Sequence, residues 1–393
     1  MKKTKIIYIN AYICYERPLS ELALDDKWFY LFGMGHILAE KLIKKRDDIL
    51  VENWRPDHSV TTRKEKMIDG IMCRVFSARE FGQFGDFSRD LLCELKSQAL
   101  QFKVVVHFMG AHRVFYNYIA WRMKGLAMVA THLGGGNPEW RFKKSRNLRN
   151  WLYWQLERKV FLKHYGCVFC QTDTERDYLE SILGKDKVNK TAIFGVDFNI
   201  FKPMGKVEAR KKLGLPLDKK IILQVGRAVK PRGVDLVLSV WQKIQNPKLF
   251  LYMVDIHPDD ELYDQVRNFC GNFCGKVNFI DLPFYYNAAD LLIYLPYDDE
   301  SLNFAGTSYV PLEAMACGTP VVATTLIHFP DAEIKTTCRV PRNESDVAPM
   351  VLDLLANPAS SEQCRALVKK YFNWDMVIEK HIEVYERLLK KNT

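Results

Sequence analysis

The chain has 393 residues, 48% hydrophobic and 26% charged, with 57 Lys plus Arg against 47 Asp plus Glu for a formal net charge of +10. That length exceeds what one hydrophobic core serves and points to two domains, while the balance of apolar and charged residues excludes a disordered chain. No run of 18 apolar residues occurs, so no helical membrane span is expected, and the excess of positive charge suggests anionic partners.

The opening "MKKTKIIYINAYICYERP" is basic then apolar, but polar residues interrupt its short apolar run and no small-residue cleavage site follows. It reads as a first β-strand rather than a secretory signal. Further near-continuous apolar runs lie at 49–54, 103–108, 127–132 and 167–172. A second series occupies 220–226, 248–254, 277–280, 291–296 and 320–325. Strands of this kind, separated by helix-length segments, predict parallel sheets covered on both faces, hence two doubly wound α/β domains. The break between them falls in "FKPMGKVEARKKLGLPLDKK" (201–220), where Pro203, Gly205, Gly214 and Pro216 bracket a short helix. The final segment, 373–392, is an amphipathic helix with no strand after it, so it must cover an existing face.

The ten cysteines form no metal framework. Cys167 and Cys170 make a CxxC inside a predicted strand, where an offset of three aims the thiols at opposite faces. Cys270 and Cys274 fall in a predicted helix. Reduced thiols in a cytosolic setting are expected. No zinc-finger, RRM-like or helix-turn-helix signature appears, which makes nucleic acid the weakest of the anionic partners.

Ligands of parallel sheets bind beyond the carboxyl ends of the strands, and the motifs fall there. In "VGRAVKPRGVDLVL", Gly226 ends a strand and Gly233 opens a helix, so Arg227, Lys230 and Arg232 crowd one loop beside a helix N-terminus. Such a place favours an anion, and arginine offers planar paired donors suited to phosphate; a solvated basic turn is the other reading. Glu313, in "LEAMACGTPVVAT", begins a short helix stopped by Gly318. It is either a dipole-stabilised carboxylate or an acceptor for vicinal hydroxyls such as those of a ribose. Gly33 and Gly35 open a helix after the first long loop, where a ligand or a tight turn would equally need glycine. His132 ends a strand and precedes "LGGGN", and it reads equally as structural or functional.

Together these blocks resemble the retaining GT-B glycosyltransferases of family 4. The resemblance runs through "VATH" (129–132), "CQTDTERDYL" (170–179), "FGVDFNIFKP" (194–203), "VGRAVKPRGVDLVL" (225–238), "AADLLIYLP" (288–296), "LEAMACGTPVVAT" (312–324) and "FNWDMV" (372–377). It implies two Rossmann-like domains facing across a cleft: 1–203 on the acceptor side, 204–375 binding the nucleotide sugar, and 376–393 a helix crossing back to the first. It implies a UDP- or GDP-sugar as donor and a glycan or lipid-linked hydroxyl as acceptor. On the matching positions Arg227 and Arg232 would neutralise the diphosphate, with Arg232 standing where the family usually has lysine. Glu313 would hold the ribose, His132 would contact the transferred sugar, and Gly33, Gly35 and the Gly306-Thr307-Ser308 turn would approach the donor.

The family carries two glutamates with seven residues between them, and counting back from Glu313 gives Ala305. Counting four residues past Pro296 gives Glu300, so an insertion within "SLNFAG" makes Glu300 the candidate acid near the sugar. The turn "VDIHPDD" (254–260) lacks the family's glycines, which leaves the donor's identity open. No acidic pair at a strand end suggests a metal, so arginines and helix dipoles are expected to take the leaving charge, with no cofactor. A nicotinamide dehydrogenase would need GxGxxG directly after a strand, and no candidate strand is followed by one. A sugar-nucleotide epimerase of GT-B fold, or a sugar-nucleotide-binding protein without transferase activity, are the alternatives.

Segment 141–163 holds eight basic residues against one acid, Glu157, with Leu148, Trp151, Leu152, Leu156 and Val160 at helical spacing. It reads either as a helix packed on its own domain or as a basic amphipathic surface for anionic lipid. The expected location is cytoplasmic, peripheral on the inner membrane face.

Overall fold

The computed structural model describes residues 2–10, 28–81, 85–133, 137–297, 308–324, 338–339 and 343–391. Packing divides the chain into two compact units, one formed by residues up to Phe194 together with the stretch from Asp375 onward, the other running from Gly195 to Trp374.

The first unit holds an eight-stranded sheet. Its strands are β1 (Thr4–Asn10), β2 (Leu50–Asp57), β3 (Lys64–Ile68), β4 (Ile71–Ser77), β7 (Lys103–Met109), β8 (Ala127–Thr131), β9 (Cys167–Cys170) and β10 (Val188–Lys190); β5 (Arg79–Glu80) and β6 (Asp86–Phe87) form a separate ribbon. The order β10-β9-β8-β7-β1-β2-β4-β3 is parallel except for the β3/β4 hairpin. Runs such as "VVVHF" are buried on both faces because helices cover both, and Trp54, Phe76, Phe108, Phe115 and Tyr116 fill one of the resulting cores. With β2 on one side and β7 on the other, β1 is the switch strand, and its carboxyl end is a place where a doubly wound fold binds ligands.

Helix α1 (Trp28–Lys45) contains Gly33 and Gly35 in its interior, so these glycines do not open the helix as the sequence pattern implied. A Cβ on Gly35 would come within 2.1 Å of the Asn10 side chain at the end of β1. The missing side chain lets the helix approach the strand, and Asn10 takes up that space.

Between β6 and β10 come α2 (Arg89–Gln101), α3 (Val114–Arg122), α4 (Pro138–Ser145), α5 (Leu148–Leu156) and α6 (Asp173–Leu183). Segment 141–163 is therefore not one helix: Arg146 takes a left-handed φ of 48° and ends α4, Asn147 caps α5, and α5 runs on into a π-turn at Glu157–Phe161.

The second unit has α7 (Lys206–Leu213) and a six-stranded parallel sheet: β11 (Lys220–Val225), β12 (Leu249–Val254), β13 (Phe273–Cys274), β14 (Leu291–Tyr294), β15 (Val321–Ala323) and β16 (Cys338–Arg339). The order β13-β12-β11-β14-β15-β16 puts its switch point between β11 and β14. One predicted strand, 277–280, is absent: Phe279 and Ile280 are exposed, and the pairing with β12 is made earlier by Phe273 and Cys274. Cys274 thus lies in a strand, and Cys270 only caps α9 (Tyr263–Phe269), so the predicted helix holding both does not exist. All the cysteines whose side chains are described are free thiols.

The remaining helices are α8 (Val234–Ile244), α10 (Leu282–Ala288), α11 (Tyr309–Ala316), α12 (Glu344–Ala356), α13 (Ser361–Phe372) and α14 (Trp374–Lys391). From Asp375 on, α14 belongs to the first unit. It buries Val377, Ile378, His381, Val384, Tyr385 and Leu388, each large apolar side chain contributing about 1.5–3 kcal/mol. The Tyr385 hydroxyl reaches the Tyr8 hydroxyl at 3.1 Å and His107 Nδ1 at 2.6 Å, and a Cβ on Gly166 would come within 2.5 Å of Leu388. Among the described residues no helix is long and apolar enough to cross a membrane.

Candidate active site

In the second unit the loop after β11 carries the predicted anion site. Gly226 leaves the strand at φ 122°, and Lys230–Arg232 form one 3-10 turn. Gly233 then turns left-handed at φ 65°, and a Cβ there would strike the Leu295 carbonyl oxygen at 1.6 Å. The turn is thereby pressed against the exit of β14, at the switch point.

The three cations of this loop differ. Arg227 is engaged by two carboxylates, donating from Nε to Asp260 and from Nη2 to Asp259 at 3.0 Å. Burial would raise the Asp260 carboxyl, but the His257 and Ala228 amides and Arg227 outweigh it and hold the group below its usual range. Lys230 lies against Glu261. Arg232 is half-buried, lies over Gly226, and forms no ion pair among the described residues; a Cβ on Gly226 would come within 2.9 Å of its Nη1. The guanidinium with spare donors at the strand end is therefore Arg232.

The glycine-free turn after β12 still adopts the geometry a glycine would give. Asp255 takes φ 69° and its carboxylate pairs with His257 Nε2 at 2.9 Å.

Glu313 lies one turn inside α11 and not at its start, so the helix N-terminus is not what accounts for it. Its carboxylate is buried and, among the described residues, accepts one hydrogen bond, from the Tyr286 hydroxyl at 2.8 Å. Burial pushes the carboxyl up to about 7, against the pull of that bond. A buried carboxylate with acceptor capacity left over suits a ligand that brings hydroxyl donors. Ser308 is the N-cap residue of α11 but makes no side-chain capping bond. Glu300, Ala305, Gly306 and Thr307, together with the glycines at 134–136, lie outside the described residues.

In the first unit His132 follows β8, buried, with its amide bonded to the Phe169 carbonyl at 2.8 Å. Its ring meets His112 edge to face, 5.4 Å between centroids. His112, which the sequence reading passed over, donates to Glu157 at 2.9 Å through Nδ1 and to Glu175 at 2.6 Å through Nε2. Burial alone would push this imidazole down, but the two glutamates outweigh it and raise it to about 10, so it is an imidazolium. Asn117 donates to Glu157 at 2.8 Å and Asn137 to Glu175 at 3.3 Å, completing a buried network. One signal of it stood in the sequence: Glu157 falls four residues after Tyr153, at the one-turn spacing that brings helical side chains together, and the structure places it in the π-turn that follows α5.

His112, His132 and Glu175 offer ligand atoms within 4.8 Å of one another, the geometry of a metal site. Both His112 nitrogens already carry protons given to carboxylates, so no lone pair on that ring is free and the compensating positive charge is in place. The cluster fits an imidazolium better than a metal ion.

Residues 206–372 match the family Glycosyl transferases group 1. D-inositol 3-phosphate glycosyltransferase of Mycobacterium tuberculosis is 29% identical over 238 residues, which cover 56% of this chain and 48% of that protein. The chain thus spans about half the length of the curated relatives it matches. Sucrose-phosphate synthase from Thermosynechococcus elongatus superposes with a TM-score of 0.70 at 18% identity, covering 99% of this chain and 100% of that one. Anabaena HepE in complex with UDP-glucose gives a TM-score of 0.64 at 16% identity, covering 98% and 99%. The chain therefore has the GT-B fold, and residues 206–372 of its second unit are similar to the glycosyl transferases group 1 family.

Proposed function

We propose that the chain is a retaining, metal-independent hexosyltransferase. It moves a sugar from a UDP- or GDP-sugar to a hydroxyl of a glycan or lipid-linked acceptor, needs no cofactor, and works in the cytoplasm at the membrane face. The observation that carries the reading is Arg232, a half-buried guanidinium without an ion pair among the described residues at the switch point of the unit that is similar to the glycosyl transferases group 1 family. Its spare donors take the donor diphosphate and the charge that develops as the nucleotide leaves. Glu313 takes the ribose hydroxyls, and the nucleotide in the HepE complex supports a nucleotide-sugar partner. Retention rests on the resemblance to family 4, in which Glu300 and His132 would face the transferred sugar.

The test is calorimetry with UDP and GDP, followed by turnover with a panel of their sugars and assignment of the product anomer by NMR. No nucleotide binding in wild type would sink the reading. Binding without turnover on any acceptor would favour the non-catalytic alternative. Glu300→Ala should damage turnover while Ala305→Glu should not improve it, and indifference to Glu300 would mean the second acid is lost.

The membrane half of the proposal rests on α5. None of its residues is buried, and Leu148, Trp151, Leu152 and Leu156 are all exposed, so much of the apolar stripe stays open to solvent. Eight basic residues accompany it across 141–163, and the one acid, Glu157, is buried against His112. Apolar side chains with a cationic surround fit an anionic lipid surface, each cation contributing roughly 1 kcal/mol there. Sedimentation with phosphatidylglycerol vesicles should show binding that fades with salt and is lost in Trp151→Ser with Leu152→Ser. Indifference to vesicles, with self-association abolished by the same pair, would make the stripe a contact between copies instead.

A further inference from the structure

A pocket lies in the second unit at the amino ends of its strands, the opposite end from the loop that carries Arg232. It holds about 290 Å3 between Lys220 at the start of β11, Asp290 before β14, Thr319 and Pro320 before β15, and the turn joining α12 to α13. That volume is at the lower end of the range for ligand pockets and suits a small metabolite rather than a sugar nucleotide.

The charge around it is lopsided. Lys206 and Lys220 are exposed at its rim, and Asp290 is the one acid among its lining residues. That carboxylate is shared: Oδ2 accepts from Arg210 and from the Ile221 amide, and Oδ1 accepts from Lys206 at 2.8 Å, with Lys220 farther off at 3.7 Å. Burial would raise the carboxyl, but Lys206, the Ile221 amide and Arg210 outweigh it and hold the group below its usual range. Three cations thus meet one anion, and the excess positive charge lies on the two lysines.

Neighbouring helix ends do not supply the missing negative charge. Helix α11 ends at the pocket, but the carbonyls of Ala314, Met315 and Ala316 already accept from the Thr319 amide, the Gly318 amide and Arg365. Helix α7 presents its positive end, with Lys206 as its first residue and Gly205 giving no side-chain cap. Behind the lysines the lining is apolar, with Met204, Ala289, Pro320 and Leu355. Burial pushes the Cys317 thiol up to about 12, so it adds a small apolar group there and no charge. Asn287 is occupied by the protein, donating to the Lys202 and Pro283 carbonyls and accepting from the Met204 amide.

We infer that this pocket binds a small organic anion, an oxyanion head on an apolar body, and that its occupant lowers the affinity of the donor site. The head sits between Lys206 and Lys220, and the body fills the space lined by Met204 and Leu355. The pocket backs onto the Tyr286–Glu313 pair: the Cys317 amide donates to the Glu313 carbonyl at 3.0 Å, and the Thr319 hydroxyl to the Tyr286 carbonyl at 2.7 Å. Neutralising the two lysines removes positive potential that favours an ionised Glu313, the form that accepts ribose hydroxyls best. Linkage makes the effect reciprocal, so nucleotide weakens the anion by the same factor. The effector role rests on the nucleotide-sugar reading, whereas the anion site stands without it.

Calorimetry compares phenyl phosphate and 4-phenylbutyrate, which have both head and body, with inorganic phosphate, which lacks the body, and benzyl alcohol, which lacks the charge. One of the first two should bind at least tenfold more tightly than either control, and the tighter of them identifies the head as phosphate or carboxylate. Lys206→Gln and Lys220→Gln should each weaken it about tenfold, the loss of one charge-assisted contact. Ala359→Phe fills the pocket without changing charge and should abolish binding, which diffuse electrostatics would not produce. Arg232→Gln should leave it intact, which separates the pocket from the donor loop. Inorganic phosphate binding as tightly as phenyl phosphate would overturn the inference, as would full binding in Ala359→Phe. UDP and GDP are then titrated with and without saturating probe. A few-fold loss of nucleotide affinity is expected in wild type and none in Ala359→Phe, and an unchanged affinity in wild type would overturn the effector role. If wild type binds neither nucleotide the donor reading fails, while the probe titrations decide the anion site by themselves.

Discussion

Two charged sites, one in each unit, are finished in opposite ways. In the first, His112 is clasped by Glu157 and Glu175, and Asn117 and Asn137 take remaining carboxylate oxygens, so the network is complete within the protein. In the second, Arg232 has no ion pair among the described residues, and the buried Glu313 carboxylate has the Tyr286 hydroxyl as its hydrogen-bond partner. Completing a buried ionic group inside the fold makes it structural, whereas leaving capacity unspent costs stability that a ligand can return. By this criterion the His112 ion cluster is scaffold, and the more weakly partnered groups are the site.

The sharpest way to break this contrast is to remove the centre of the completed network. His112 sits at φ 62°, so Asn is the substitution that keeps the backbone while deleting the imidazolium. His112→Asn leaves two buried carboxylates uncompensated and should cost about 3–5 kcal/mol in chemical denaturation. Affinity for UDP or GDP should not change. A loss under about 1 kcal/mol would show that the cluster is not scaffold.

The next test lies within one loop. Arg232→Ala should weaken nucleotide binding by about 1.5–3 kcal/mol with little change in stability, because no protein partner is left behind. Arg227→Ala should also weaken it, but it leaves Asp259 and Asp260 unpaired beside the site and should lower stability as well. Calorimetry and thermal melts together separate the two; equal profiles would mean that Arg227 is no more committed to the fold than Arg232.

Much of this was legible in the sequence, and the exceptions have physical causes. The apolar runs that became β1, β7, β11 and β14 are buried on both faces, which is the pattern a parallel sheet writes most plainly. The β3/β4 hairpin was missed because β3 is almost wholly exposed, although its Asp69-Gly70 turn, with φ of 50° and 78°, is a hairpin signal. The run 277–280 reads as a strand on hydrophobicity alone, and nothing local shows that its register is taken by Phe273 and Cys274. Glu313 was found by its motif, but its raised carboxyl depends on Tyr286 and on burial, which are tertiary facts. The His112 network joins residues 63 positions apart in sequence, and pairing at that distance leaves no periodic trace.

A third comparison sets acid behaviour in the two units against each other. Burial lowers His381 to about 4, the Val377 carbonyl offsetting only part of it, and burial together with His381 pushes His107 well below its usual value. Both are depressed histidines, so the stability they allow is present above the unfolded value near 6.5 and is lost as pH falls from there toward 4. By pH 5 the His381 linkage alone should cost about 2 kcal/mol. His381 stacks on Phe169 at 4.3 Å and its Nε2 has no hydrogen-bond partner, so His381→Phe should keep the stack and flatten the acid limb of a stability-against-pH curve. An unchanged limb would assign acid sensitivity elsewhere.

Glu313 has the opposite sign and the smallest expected effect. Its folded value, about 7, lies above the ordinary carboxyl value of 4.5, so its contribution to stability is fully present below 4.5 and is lost as pH rises through 7. Hydroxyl donors from a ribose favour the ionised form, so nucleotide binding should release protons, and affinity should rise between pH 6 and 8. Glu313→Gln keeps a carbonyl for the Tyr286 hydroxyl but cannot ionise. The variant should therefore lose about tenfold in nucleotide affinity at pH 8, the worth of one charge-assisted bond, and lose little at pH 6. The same variant without ligand should be more stable than wild type at pH 8, because it no longer holds a charge in a dry site. Lower affinity with lower stability would instead mark Glu313 as part of the scaffold, and the contrast between the two units would fail at the residue where it is finest.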